Sequence, residues 1–407
     1  MITADASTIL PQLQQARVQI EQELLGNILP FWIEHTCDEE HGGFYGALSN
    51  DLVVHNEYPR SAVVCARILW TYAAAYRAYG KDEYRTMAQR AYEYLKSAFV
   101  DPVYGGVYWQ IDQDAKPISP RKHSYAQSFA IYGLSEYHRA TGDAESLELA
   151  KRLFELLEQH AYEPHYGGYI EGCAHDWGLL DDMRLSDLEP NCRKSMNTML
   201  HVMEGYTNLL RVWDSPLLRQ RVHEMVEIFL KQIIDPQTYH FKLFFDDAWN
   251  ASGQTRSYGH DIEGSWLIVE AAEVLDDPKL LAASRSASVE MAWAVYSQGM
   301  DSSGGVLYEG HASGPASTDK HWWAQAEAIV GFYNAYQISG HPQFAEAALA
   351  CWDFVQKYFV DRTHGEWFKV VSRDGTPHLD QVKTGPWECP YHHGRFCLEL
   401  LARIPAQ

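Results

Sequence analysis

Apolar residues recur three and four apart through long stretches of this chain, the period of a helix that buries one face. The stretches come in pairs. "SAVVCARILWTYAAAYRAYG" (61–80) precedes "DEYRTMAQRAYEYLKSAFV" (82–100), and "SYAQSFAIYGLSEYHRATG" (124–142) precedes "DAESLELAKRLFELLEQHAY" (143–162). The pairing recurs at 195–213 with 215–234, 260–276 with 279–297, and 321–339 with 342–360. A final helix (391–404) is then left to pair with the N-terminal one, about 8–35. The first member of a pair mixes small residues with aromatics ("AAAY", "AIYG", "GFYNAY"), which suits packing on several sides. The second carries a charged face, as in "KRLFELLEQH", which suits an outer layer. Twelve helices in inner and outer layers, with the chain ends paired, predict an all-α (α/α)6 barrel forming one domain over residues 1–407. An open solenoid is the alternative, but it needs polar capping repeats that this sequence lacks.

The loops repeat as well. "DEEHGGFYG" (38–46), "DPVYGGVYW" (101–109), "EPHYGGYIE" (163–171), "DPQTYHFKLFF" (235–245), "DSSGGVLYEG" (301–310) and "DRTHGEWF" (361–368) each join an acid to a turn and a short aromatic or β-branched run. Their first Gly or its equivalent falls at 42, 105, 167, 239, 304 and 365, at intervals of 63, 62, 72, 65 and 61. These read as short β-hairpins. The inner helices would start just after them, near Arg60, His123, Asn197, His260, His321 and His392, and converge on one mouth. Helix N-termini there would present free N–H groups to an oxygen-rich ligand.

Composition narrows the class. A net charge of −21 leaves no basic face for nucleic acid or an anionic membrane. Seven scattered cysteines without a CxxC suggest reduced thiols and a cytoplasmic protein. The N-terminal stretch has no signal-peptide pattern, and no apolar run reaches membrane-spanning length.

Polar residues on apolar helices mark candidate chemistry. His260 and Glu263 stand three apart at the start of "GHDIEGSWLIVEA", with Asp261 suited to a first-turn cap. Asn197, His201 and Glu204 form a stripe on another helix, readable as a cavity wall or as satisfied core groups. Arg67 lies two turns into an inner helix and needs an anionic or oxygen partner, structural or functional. His123, Tyr125, Trp322, Trp323 and Glu327 complete the set, with one tryptophan expected in the core and one at the mouth. The residues lack a full metal-ligand count, a phosphate-cradling glycine loop and a dinucleotide fingerprint. Two reaction classes fit. Glycoside hydrolysis would use two opposed carboxylates from Glu263, Glu327 and Glu309. Proton transfer by two histidines suits imidazoles, whose ordinary pKa lies near neutrality. A saccharide-binding module without turnover is a third reading.

"RILWTYAAAYR", "RKHSYAQSFAIYGLSE", "SMNTMLHV", "SYGHDIEGSW", "DKHWWAQAE" and "PYHHGR" together resemble the N-acylglucosamine 2-epimerase superfamily, and within it the cellobiose 2-epimerase branch. The resemblance runs from about residue 20 to 404 and implies C2 epimerisation of the reducing-end glucose of β-1,4 disaccharides, without metal or nucleotide cofactor. An aldose–ketose (mannose) isomerase is the nearest alternative. It implies His260 and His392 as the acid/base pair, with His201 and Arg67 holding O1 and O2. Tyr125, Asn197 and Glu263 would support them, Trp323 and Trp387 would line the sugar subsites, and Glu309 would reach the second ring. The expected partner is a small disaccharide, for a monomer or weak homodimer. One departure is His393, where the pattern has a small polar residue; it is expected to be a bystander whose change to Asn is nearly silent.

Overall fold

The computed structural model describes residues 6–406; residues 1–5 and 407 of the expected domain lie outside the described residues. The inner helices are Ala62–Tyr79, Ser124–Thr141, Met196–Leu210, Tyr258–Leu275, Trp322–Ser339 and Tyr391–Arg403. The outer ones are 6–35, 82–99, Ala144–His160, 216–233, Pro278–Gln298 and 342–359. Each inner helix packs on the next, and the last returns to the first, so the ring closes as an (α/α)6 barrel. The chain ends meet as expected: Arg17 Nε donates to the Ile404 carbonyl at 3.2 Å.

The layers follow from side-chain character. Along Ala62–Tyr79 the first fourteen residues are buried except Val64, with alanines letting neighbouring helices approach. Along Ala144–His160 only a stripe is buried, including Leu149, Leu153 and Leu157. Four outer helices carry a π-helical turn, at Leu24–Ile28, Leu95–Phe99, Phe229–Ile233 and Val355–Phe359. Among the described residues no helix is long and apolar enough to cross a membrane.

The hairpins are built to one plan. Six antiparallel bridges, from Cys37↔Phe44 to Val360↔Trp367, close the six acidic turns. The acid caps its own turn: Asp101 Oδ1 accepts from the N–H groups of Val103 and Tyr104, and Asp361 Oδ1 from those of Thr363 and His364. Its carboxylate also meets a buried cation from the segment entering an inner helix. The pairs are Asp38–Arg60, Asp101–Lys122 (2.7 Å), Glu163–Lys194 (3.4 Å), Asp301–Lys320 (3.1 Å) and Asp361–Lys383 (2.8 Å). The fourth hairpin departs, since Arg256 bonds Gln298 instead. Glycine is required where the turn meets the barrel wall. Gly43 has φ +62°, and a Cβ there would stand 2.3 Å from the Tyr94 ring. These ion pairs fix the helix starts, and with them the mouth.

Candidate active site

Equivalent positions on the inner helices form two tiers. The second residue of a helix supplies Tyr125, Asn197, Trp323 and His392. In the fourth inner helix that place is Gly259, whose missing Cβ leaves room for the Trp323 ring, and the next residue, His260, faces the cavity. One turn deeper, the sixth residue supplies Arg67, His201, Glu263 and Glu327. The tiers enclose a cavity of about 270 Å³ lined by nine of the ten expected site residues. Glu309 is the exception. It stands half-buried on the strand Glu309–His311, outside the cavity lining. Two expected mouth residues also turn away. Arg60 is buried against Asp38 and the Gly42 carbonyl, and His123 caps its own helix by accepting from Tyr125 N–H.

The imidazoles are held through Nδ1. His392 Nδ1 lies 2.7 Å from Glu327 Oε1, His201 Nδ1 lies 2.8 Å from Glu204 Oε2, and His260 Nδ1 lies 2.7 Å from Ser257 Oγ. With that nitrogen occupied, Nε2 is left for chemistry. The Trp323 ring stands between two of them, 4.6 Å from the His260 centroid and 5.7 Å from that of His392. Burial holds all three rings below the ordinary imidazole pKa, His260 at about 3. For His392 the cations Arg67 and Arg395 add to burial. All are therefore neutral near pH 7, the form a proton acceptor needs.

Arg67 is buried over the Phe129 ring at 4.2 Å and donates to the Tyr125 hydroxyl at 2.8 Å. Among the described residues no carboxylate meets its charge within ion-pair distance, so it is available to an anionic oxygen in the cavity. Among the described residues Asn197 Oδ1 and Glu263 Oε2 have no partner, although both atoms are buried beside the cavity. Such groups need hydroxyl or water donors. Trp387 lines the cavity beside Tyr125, 6.0 Å from its ring and 5.8 Å from Trp109.

The floor was not anticipated. Arg395 donates to Glu263 Oε1 at 2.7 Å and Glu327 Oε1 at 2.6 Å, and also bonds Glu204 and Tyr391. Three carboxylates thus converge where no acid cluster was expected from spacing. Burial raises the pKa of Glu263 and Glu327. Burial acts in the same sense on Glu204, but Arg395 and His201 more than offset it and bring it to about 2. Ligand atoms of Glu263, Glu327 and His392 come within 4.8 Å of one another, a spacing open to a metal ion. The Arg395 guanidinium already binds both carboxylates, and its positive charge takes the place a cation would need. The donor set fits guanidinium rather than metal. The one cue in the sequence was Arg395 itself, one turn beyond His392 on a buried helix.

Two other wall segments lacked any periodic signal. The loop following the third hairpin brings Leu185, Leu188 and Glu189 to one side of the opening, with the Glu189 carboxyl pushed by burial up to about 7. Lys369 and Glu388, 2.7 Å apart, flank the other.

Comparison with known proteins places this arrangement. The sequence profile described as N-acylglucosamine 2-epimerase (GlcNAc 2-epimerase) matches residues 43–394. A cellobiose 2-epimerase of Bacteroides fragilis is 44% identical over 384 residues, covering 94% of this chain and 98% of the relative. One from Ruminococcus albus is 40% identical over 386 residues, covering 95% and 98%. The solved structure of cellobiose 2-epimerase from Bacillus thermoamylovorans B4167 superposes with a TM-score of 0.90 at 37% identity, over 95% of this chain and 99% of that one.

Proposed function

The chain belongs to the N-acylglucosamine 2-epimerase family, and from that membership we propose that it inverts C2 of the reducing-end glucose of β-1,4 disaccharides. It is an isomerase that would turn cellobiose into glucosyl-mannose and lactose into epilactose. The observation that carries the reading is the pair His260, half-buried at the cavity, and His392, buried, both neutral and flanking Trp323, each with Nδ1 occupied and Nε2 free.

The chemistry follows from that pair. With the sugar ring open, the C1 aldehyde acidifies the C2 proton. One imidazole Nε2 takes it, the electron pair forms a C1=C2 double bond and the carbonyl π pair moves onto O1, giving a cis-enediolate with its charge on O1 and its hydrogen kept on O2. Arg67 is the donor for O1, a role worth roughly 3–4 kcal/mol for a well-placed group, and neutral His201, whose hydrogen is on Nδ1 toward Glu204, accepts from the O2 hydroxyl at Nε2. Cavity water protonates the second imidazole at Nε2 and the hydroxide left behind takes the proton from the first; after rotation about C2–C3 the second, now imidazolium, delivers its proton to the opposite face of C2. Return to C1 would yield the ketose as a side product. Asn197 and Tyr125 are hydroxyl partners, and Trp323 and Trp387 are the sugar-facing walls. The glycosidase alternative needs opposed carboxylates, whereas Glu263 and Glu327 lie side by side on one guanidinium.

Incubation with lactose in D2O tests the reading. Epilactose carrying deuterium at C2 is the expected product. Released galactose would replace epimerisation with hydrolysis, and binding without any product would reduce the protein to a saccharide-binding module.

A further inference from the structure

The two imidazoles are backed by different chemistry. Behind His392 is a carboxylate, Glu327; behind His260 is a neutral hydroxyl, Ser257 Oγ, at 2.7 Å. Ser257 occupies the cap position of the helix Tyr258–Leu275 yet makes no side-chain bond to its N–H groups. Ser195, at the equivalent place before the preceding inner helix, does cap, accepting from Thr198 N–H at 3.1 Å. A serine at a helix start ordinarily serves the backbone; this one is turned to the imidazole.

Its position is fixed from behind. Ser257 pairs across an antiparallel ladder with Glu309, and it is buried. Gly310, the next residue of that strand, packs on the Tyr258 hydroxyl so closely that a Cβ would come within 2.1 Å. The groups facing His260 from other helices are Trp323, His201, Glu327 and Arg67, and among the described residues Ser257 alone bonds its ring.

We propose that Ser257 is the positioning residue of His260: its oxygen accepts the Nδ1 hydrogen and holds the ring with Nε2 toward the cavity. The assignment rests on the two-histidine reading. An oxygen acceptor serves both forms that reading requires, because Nδ1 carries hydrogen in the neutral base and in the imidazolium alike. Being neutral, the hydroxyl leaves the ring free to give its proton up, where a carboxylate would retain it. The ladder to Glu309 makes the oxygen's location independent of side-chain motion in the cavity.

The test is S257A beside S257T, which keeps the hydroxyl. In the free protein with 15N-labelled histidine, NMR of the wild type and S257T should show His260 protonated at Nδ1 and bare at Nε2. S257A should show a mixture of tautomers. On cellobiose, S257A should lose about tenfold in kcat with KM within about twofold, and S257T should recover most of it. The acid limb of the pH–rate profile should move in S257A and not in S257T. An unchanged tautomer or wild-type kcat in S257A overturns the assignment. Were S257A to unfold, S257C, similar in size and a weak acceptor, reads the same tautomer. The NMR result needs no turnover, so a failure of the epimerase reading would be seen separately from a failure of this one.

Discussion

His392 and Arg395, one helical turn apart, share a single oxygen: Glu327 Oε1 lies 2.7 Å from His392 Nδ1 and 2.6 Å from Arg395 Nη2. The other oxygen of that carboxylate accepts from Trp266 Nε1 at 3.1 Å. Three donors therefore converge on two acceptor atoms, which only a carboxylate satisfies. In Glu327→Gln an amide NH2 must face one of them. We expect kcat to fall about 100-fold, and stability to fall by about 1–3 kcal/mol. Urea unfolding beside steady-state kinetics measures both.

His260→Ala and His392→Ala should each remove epimerisation, by more than about 1,000-fold, while circular dichroism stays as in the wild type. Retained C2–hydrogen exchange into substrate without net inversion, in one variant only, would show which imidazole serves which face.

Arg67→Ala should lower kcat by about 100- to 1,000-fold with a smaller change in KM. Arg67→Lys should recover little, because the guanidinium both bonds the Tyr125 hydroxyl and sits over the Phe129 ring. A change confined to KM would make Arg67 a simple binding group.

The pH dependence has a defined sign. With His260 depressed to about 3 by burial, the base stays neutral as pH falls through the ordinary imidazole range. The kcat/KM profile should therefore stay level through pH 6.5 and drop only well below it. Stability behaves differently. Burial also brings His123 and His321 to about 3, so below pH 6.5 the unfolded chain binds protons that the folded one refuses. Stability should be fully present above about 6.5 and decline as pH falls towards 3, by up to about 1.4 kcal/mol per pH unit for each ring. Chemical denaturation at several pH values reads the slope.

His393→Asn was expected from the sequence to be nearly silent, and the structure changes that expectation. His393 is buried with Nε2 2.6 Å from Glu366 Oε1, and its ring packs on Trp367. Glu366 takes the second turn position at φ +64°, where four of the other five hairpins have Gly in a Gly-Gly pair close to the same conformation. We expect kcat within about twofold of the wild type, and a stability loss of about 1–3 kcal/mol by denaturant titration.

The barrel was legible because its signals are local. Small and aromatic residues separate inner from outer helices, and the acidic Gly-Gly turns recur at nearly constant interval. Of the nine expected site residues that line the cavity, all but Trp387, which lies just ahead of the last inner helix, fall in the first two turns of an inner helix, where position alone directs them to the mouth. The Arg395 floor was hidden because its partners lie on three other helices, 68 residues away for Glu327 and 191 for Glu204. Spacing within one helix cannot reveal a contact made across four. Glu309 falls outside the lining for the opposite reason, since its strand is tied to Ser257 beside the cavity rather than in its wall.

The two tiers of equivalent helix positions give the cavity a rotational grammar. A group moved to the same rank on the neighbouring inner helix keeps its depth and swings by one sixth of a turn about the barrel axis. The identity of the reacting face at a tetrahedral carbon is an angular property. It would thus be written in the order of side chains around the ring, Arg67, Phe129, His201, Glu263 and Glu327, more than in their reach. Permuting residues around one tier is then the natural way to redirect this scaffold to another stereocentre, with the hairpins and their ion pairs left untouched.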